Sequence, residues 1–274
     1  MEIMEIIKDA FVFPSKNIKV LLIYVVLALL VGLFSFMGVL VYAFGTVVPE
    51  CFLWGGLAIV LAMVIGWLMS GYLISVIKSG IDLDDNVPEF VWWDNFITGF
   101  DNFIVSIVYF AIPAFIVIVM GFVTNVYGNI MTVANGIAAE AQGAYLGTSA
   151  IAYDAMSQAM VNLVMSLAAT LTVAFVLFVI FAFLQTMAEA RLANTGSLGE
   201  ALNVFEAAKD IKRIGIGKVI ALILLVIIIT CVINMILSAI YSYVPFLSII
   251  SIVVSPYLVF FAQRAVGLLY SDIA

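Results

Sequence analysis

Six long apolar runs, at about 20 to 44, 51 to 77, 103 to 126, 160 to 186, 219 to 240 and 246 to 269, are threaded so that every lysine and arginine falls on one side of them. Each run meets the length of about 20 apolar residues that a helix needs to cross roughly 30 Å of hydrocarbon. Helices are the expected spanning element because unpaired backbone is intolerable in lipid. Lys8, Lys16 and Lys19 precede the first run and Lys78 follows the second; Arg191, Lys209, Lys212, Arg213 and Lys218 lie between the fourth and fifth, and Arg264 ends the sixth. The positive-inside rule turns that distribution into an orientation, a cell-membrane protein with both termini cytoplasmic. A chain that is 66% apolar and 10% charged has no reading as a soluble domain, which carries about a quarter charged residues.

The opening Met1-Glu2-Ile3-Met4-Glu5 has no basic region and the first run no small-residue cleavage signature, so no signal peptide is expected to be removed. Cys51 at the edge of the second run and Cys231 deep in the fifth are not expected to pair. The acidic excess of seven charges argues against a nucleic-acid partner.

Three segments follow one plan, in which a short amphipathic helix is followed by a break, an outward span, a return span and a charged exit. They run from about 3 to 80, from 87 to 196 with an outer insertion at 127 to 159, and from 197 to 272, within a single membrane domain of residues 1–274. In the first amphipathic helix Ile3, Ile6, Ile7 and Phe11 share a face. In the second, Asn86 is the expected N-cap with Glu89 three residues on, and Phe90, Trp93, Ile97 and Phe100 make the apolar stripe. In the third, Ser197 and Glu200 form a capping box, with Leu198, Leu202 and Phe205 inward. The return spans end alike, in Ile77-Lys78-Ser79-Gly80, Ala190-Arg191-Leu192-Ala193 and Gln263-Arg264-Ala265-Val266. The outer insertion carries only Glu140 and Asp154 as charges and reads as partly helical, over Ala138 to Ala144 and Ala150 to Val161. The fold class is therefore all-α integral membrane, with six transmembrane helices, three cytoplasmic interfacial amphipathic helices and three degenerate helix-hairpin repeats.

Four stretches, Ile7-Lys8-Asp9-Ala10-Phe11, Pro88-Glu89-Phe90 with Trp92 to Phe103, Gly199-Glu200-Ala201-Leu202-Asn203, and Ser255-Pro256-Tyr257-Leu258 with Arg264-Ala265, give the chain its resemblance to a known group. It resembles the multi-span membrane proteins of domain of unknown function 4013, frequent in methanogenic archaea. The resemblance implies an archaeal cell membrane and carries over no catalytic residue.

Histidine is absent, which removes the commonest neutral-pH acid, base and metal ligand. Asp82, Asp84, Asp85 and Glu89, followed by Asp94 and Asp101, could in principle hold magnesium against a lipid diphosphate, but Asp82-Leu83-Asp84-Asp85 lacks the aspartate spacing of membrane transferases and reads as a solvated turn. No catalytic residue, metal site or cofactor is assigned. Trp92, Trp93 and Phe100, with Lys209, Lys212, Arg213 and Lys218, are the candidate contacts to lipid or a partner, since indole rings and basic side chains favour the headgroup layer. No charged residue occupies the middle of a span, and Glu189 with Arg191 are expected to end the fourth span in water. Asn162, Gln185 and Asn234 are the intramembrane polar candidates, with Ser166 and Thr170, and polar side chains there more often bridge helices than bind solutes. Gly66 and Ser70 are small enough for close helix contact, and Pro113 and Pro256 invite bends.

These features favour a non-enzymatic protein that accommodates lipid, or scaffolds a membrane partner or a second copy, at the inner leaflet. The rival is a permease or flippase for a neutral or amphiphilic solute along Asn162, Gln185 and Asn234; a third class is a magnesium-dependent lipid transferase using Asp82, Asp85 and Glu89.

Overall fold

The computed structural model describes residues 1–143 and 149–274, with side chains at 1–138, 141 and 156–274, and every regular element in it is a helix. The elements are α1 (Ile3–Val12), α2 (Ile18–Phe44), α3 (Glu50–Ile81), α4 (Trp92–Val123), α5 (Val126–Gly143), α6 (Ser149–Thr195), α7 (Leu198–Ala201), α8 (Val204–Ile214), α9 (Ile216–Tyr243) and α10 (Ser251–Tyr270), with 3-10 turns at Phe13–Lys16 and Pro245–Ile250. Six stretches are long and apolar enough to cross a membrane: Ile18–Phe44, Glu50–Ile81, Trp92–Val123, Met156–Thr195, Ile216–Tyr243 and Pro245–Tyr270. Each contains the run predicted for it apart from the last residues of the third. Large apolar side chains such as Leu33, Phe36, Phe175 and Met235 stand more than half exposed, as a surface meant for hydrocarbon requires. The chain is a multi-pass membrane protein.

Two compact units divide the chain, one of residues 1–106 with 184–274 and one of 107–183. The second is held by polar links between its helices: Thr124 to Thr170 at 2.8 Å, and the Asn129 amide donating to Ser166 at 3.1 Å. Ser166 and Thr170 thus bridge helices. The outer insertion is helical through α5 up to Gly143 and from Ser149 onward; residues 144 to 148 and the side chains of Glu140 and Asp154 lie outside what the structure describes.

In the first unit α3 is the central helix, and glycines set how closely its neighbours approach. A Cβ on Gly99 would lie 1.7 Å from the Trp67 carbonyl oxygen and one on Gly71 1.7 Å from that of Asn95, so α3 and α4 touch backbone to backbone. Gly80 and Gly267 do the same for α3 and α10, where a Cβ on Gly267 would come within 2.2 Å of the Ile77 oxygen. Small residues are how spans pack when lipid gives apolar surfaces no reason to leave it. Of the expected small residues, Gly66 faces open space while Ser70 accepts from the Asn102 amide of α4 at 2.8 Å, and the backbone contact itself is made by Gly71. Beside these crossings lies a core of Phe13, Val20, Leu21, Tyr24, Tyr72, Val76, Val87 and Phe260.

The second amphipathic helix does not form as a separate piece. Residues 83 to 91 are non-helical, and α4 starts at Trp92 and runs unbroken into the span. Pro88 pushes the preceding residue out of the helical region, the Tyr72 hydroxyl donates to the Pro88 carbonyl at 3.1 Å, and Phe90 stacks on Tyr72 at 4.7 Å. Asn86, expected as the cap, instead donates its amides to the Asp84 carboxylate. Ser197 stands at the N-cap position of α7, but without the capping box, as Glu200 is drawn to Arg191 at 2.6 Å; the side-chain cap is made one helix later, where Asn203 at the start of α8 accepts from the Glu206 amide at 3.2 Å. Phe205, expected inward, is 81% exposed.

Leucine at Gly99 should therefore lower the unfolding midpoint in detergent, by the equivalent of about 1–3 kcal/mol or more for overpacking a tight contact. Leucine at Gly66, which meets nothing within 4 Å, should leave that midpoint within experimental scatter.

Candidate functional site

Two arginines anchor the charged ends of the spans. Arg264, on α10, is fully buried: its Nε donates to Asp9 of α1 at 2.9 Å, its Nη1 to the Asp84 carbonyl at 2.7 Å and to Ser79 Oγ at 3.3 Å, and its guanidinium lies 4.4 Å from the Phe13 ring centre. The Asp84 carbonyl is aimed there by a turn that closes α3, in which the Asp84 amide donates to Ser79 at 2.9 Å and the Leu83 amide to Gly80 at 3.3 Å. Leu83 takes φ +54°, the left-handed position that glycine usually fills after a helix.

Arg191, on α6, was expected in water and is 8% exposed. Its Nη1 donates to Asp210 of α8 at 2.7 Å, its Nη2 to Glu200 at 2.6 Å and its Nε to the Glu200 carbonyl at 3.2 Å. Asp210 also accepts from Tyr270 at 2.8 Å and Arg213 at 3.0 Å, so one carboxylate joins α6, α8 and α10. Water cannot compete for a charge that α8 covers, which is why the span end folds inward. The sequence carried an unread trace of both anchors: Glu5-Ile6-Ile7-Lys8-Asp9 and Glu206-Ala207-Ala208-Lys209-Asp210 place the arginine-holding aspartate at the same offset.

Of the basic candidates, Lys209 holds Glu206 at 2.5 Å, Arg213 holds Asp210, and Lys218 holds Asp272, leaving Lys212 exposed without an ion-pair partner among the described residues. The Lys209 ammonium keeps the Glu206 carboxyl below its ordinary range. Partial burial would raise the Asp272 carboxyl, but hydrogen bonds from Lys218 and from the Met1 ammonium outweigh it and hold it low.

The aromatic candidates separate. Trp93 is 70% exposed and rests on Phe96; Phe100 packs edge-on to Trp67 at 5.1 Å. Trp92 meets Phe90 at 5.0 Å and closes one end of a groove of about 690 Å³ along α2, walled by Leu22, Ile23, Val26, Leu27 and Leu30 with Lys19 at the same end. A smaller hollow of about 170 Å³ adjoins it, sharing Lys19, Ile23 and Trp92 and adding Asn17, Glu89 and Phe90. Lys19 was read only as an orientation mark, and nothing in its sequence context sets it beside Trp92, 73 residues away.

The intramembrane polar residues are held differently within each unit. Asn162 accepts from Gln158 within α6, in the second unit. In the first unit Gln185 donates to Ser106 at 3.1 Å and Glu189 at 3.2 Å, while Asn234 donates to the Thr230 carbonyl and lines a separate hollow of about 250 Å³. Glu189, also expected in water, lines a mostly apolar cavity. Asp85 is held by Lys16 at 3.1 Å, and among the described residues no three His, Cys, Asp or Glu side chains converge on a metal-sized point.

Comparison with protein families matches residues 54–242, more than half of the chain, to the family described as Protein of unknown function (DUF4013). Two of the four stretches that carried the resemblance, at 88 to 103 and 199 to 203, lie inside that range, and the opening and closing stretches lie outside it. No curated protein and no solved structure matches the chain.

Two outcomes follow from the anchors. Asp210→Ala should destabilise by about 3–5 kcal/mol, the cost of breaking a buried ion pair, whereas Glu200→Ala, at a half-exposed carboxylate, should cost about 1 kcal/mol or less in the same unfolding assay. Because the folded-state Asp272 carboxyl is held low, its contribution is full above the ordinary carboxylate range and is lost as pH falls through the folded value. Asp272→Asn should therefore lower the unfolding temperature at pH 7 and converge with the parent protein under acid conditions.

Proposed function

Since the chain belongs to that family of unknown function, whose description names no activity, we propose from the geometry that it holds a lipid of the inner leaflet in the groove along α2. The observation that carries this reading is the pairing of a long apolar channel with a cation and an indole at one end only. From Lys19 to Leu30 the helix rises about 16 Å at 1.5 Å per residue, close to half of the roughly 30 Å hydrocarbon core, so the groove is one leaflet deep. A single lipid chain fits that run, with its phosphate at Lys19 and a headgroup donor toward Asn17 or Glu89.

The apolar wall confers little preference by itself, because a chain in the groove leaves an equally apolar bilayer. Selection rests on the headgroup end, where a basic side chain contributes about 1 kcal/mol toward an anionic phosphate. That end lies on the cytoplasmic side in the reading that follows from the ten basic residues, with both termini inside and an archaeal cell membrane as the setting the resemblance implies. The three-unit plan gains support from Asp9 and Asp210, which accept the buried arginines Arg264 and Arg191 at matching offsets; at the remaining junction Ser75 donates to Asn95 at 3.2 Å. A permease path through Gln185 and Asn234 is less favoured because Gln185 is engaged by Ser106 and Glu189 and does not line the hollow that Asn234 does, and a transferase site is less favoured because Asp85 is occupied by Lys16.

Native mass spectrometry on gently extracted protein checks the reading. The parent should carry a lipid of defined mass, Val26→Trp should empty the groove, and Lys19→Glu should cut occupancy about fivefold or more, the factor that 1 kcal/mol represents. Equal occupancy in correctly inserted variants would count against a lipid site on α2.

A further inference from the structure

Away from that groove, between α6, α9 and α10, a cavity of about 190 Å³ holds the Glu189 carboxylate among Leu222, Ile223, Val226 and Ile227, with Thr186 and Gln263 also on its walls. Glu189 accepts a hydrogen bond from Gln185, which is itself fixed by donating to Ser106. No lysine or arginine lies within ion-pair distance of it among the described residues. Arg191, two positions along, is committed to Asp210 and Glu200. A carboxylate in such surroundings is costly unless a positive partner or a proton compensates it, and an amide donor compensates only in part.

We propose that the missing partner is a ligand, a primary ammonium carried on a short apolar chain, bound with its charge on Glu189 and its chain against α9. The ammonium brings three N–H donors, and the cavity offers acceptor oxygens on Glu189, Gln263 and Thr186. A hard divalent cation is a poor match, since it takes six or more oxygens and one wall here is wholly aliphatic. The space corresponds to about six water volumes at roughly 30 Å³ each, which admits an amine of four or five carbons and excludes a bulky one. The inference is independent of the α2 groove, which lies on other helices. The same ammonium chemistry occurs in the headgroup of an aminophospholipid and in a free amine.

The test is thermal unfolding of the full chain in detergent, titrated with butylammonium chloride against sodium chloride and tetrabutylammonium chloride at equal ionic strength. The parent should show saturable stabilisation by butylammonium alone, and Glu189→Gln, which keeps the shape and removes the charge, should weaken the apparent affinity at least tenfold. Ile223→Trp, which keeps the carboxylate and fills the space, should abolish the response. A parent protein that responds to butylammonium no more than to sodium overturns the proposal whatever the variants do, as does an undiminished response in Glu189→Gln. Repeating the titration in nanodiscs with and without phosphatidylethanolamine separates the sources. Competition by that lipid upholds the site with a headgroup as occupant, and its absence upholds it with a free amine.

Discussion

The fully buried guanidinium of Arg264 is the constraint to which the charged end of the first unit conforms. An unpaired charge in that position is intolerable, so Asp9, Ser79 and the Asp84 carbonyl must all converge on it. That convergence brings α1 against α10, sets the close of α3, and explains why Leu83 accepts a left-handed backbone. Arg191 and Asp210 impose the same discipline on α6, α8 and α10. Because apolar helix faces gain little by leaving lipid for one another, such polar nodes and the glycine contacts of α3 decide which helices meet.

The candidate sites follow from this arrangement. With the segment before α4 pinned in extended form by Pro88 and by the Phe90–Tyr72 stack, α4 begins at Trp92, and its indole arrives beside Lys19. A helix starting at Asn86 would have placed that indole elsewhere and left the α2 groove without its aromatic wall. Likewise, Arg191 being drawn toward α8 leaves Glu189 on the side that faces α9 and α10. One span end thus places two charges of opposite sign in different surroundings, one saturated by protein and the other presented to a cavity.

Much of the architecture was legible in the residues. The spans could be read because twenty or more apolar residues in a row have one stable arrangement in lipid, and Ser166 and Thr170 were readable as helix bridges because a buried hydroxyl seeks a partner. Local start signals fared worse. Ser197 and Glu200 fit a capping box, yet Glu200 had a stronger partner in Arg191; Asn86 fits a cap, yet a proline two residues on closed that option. Gly66 and Gly71 are equally small, and only the helix crossing tells which one is used.

By itself the sequence determined the solvent and the number of helices long and apolar enough to cross it, since both depend on composition summed over a run and are insensitive to which neighbour a side chain meets. Tertiary structure alone decided the burial of Arg191 and Arg264, the meeting of Lys19 and Trp92 on one groove and the placing of Glu189 against α9 and α10. Each of these depends on residues tens to hundreds of positions apart meeting within a few ångströms, and at such range the energy of a charge is set by its partners and its exclusion from water.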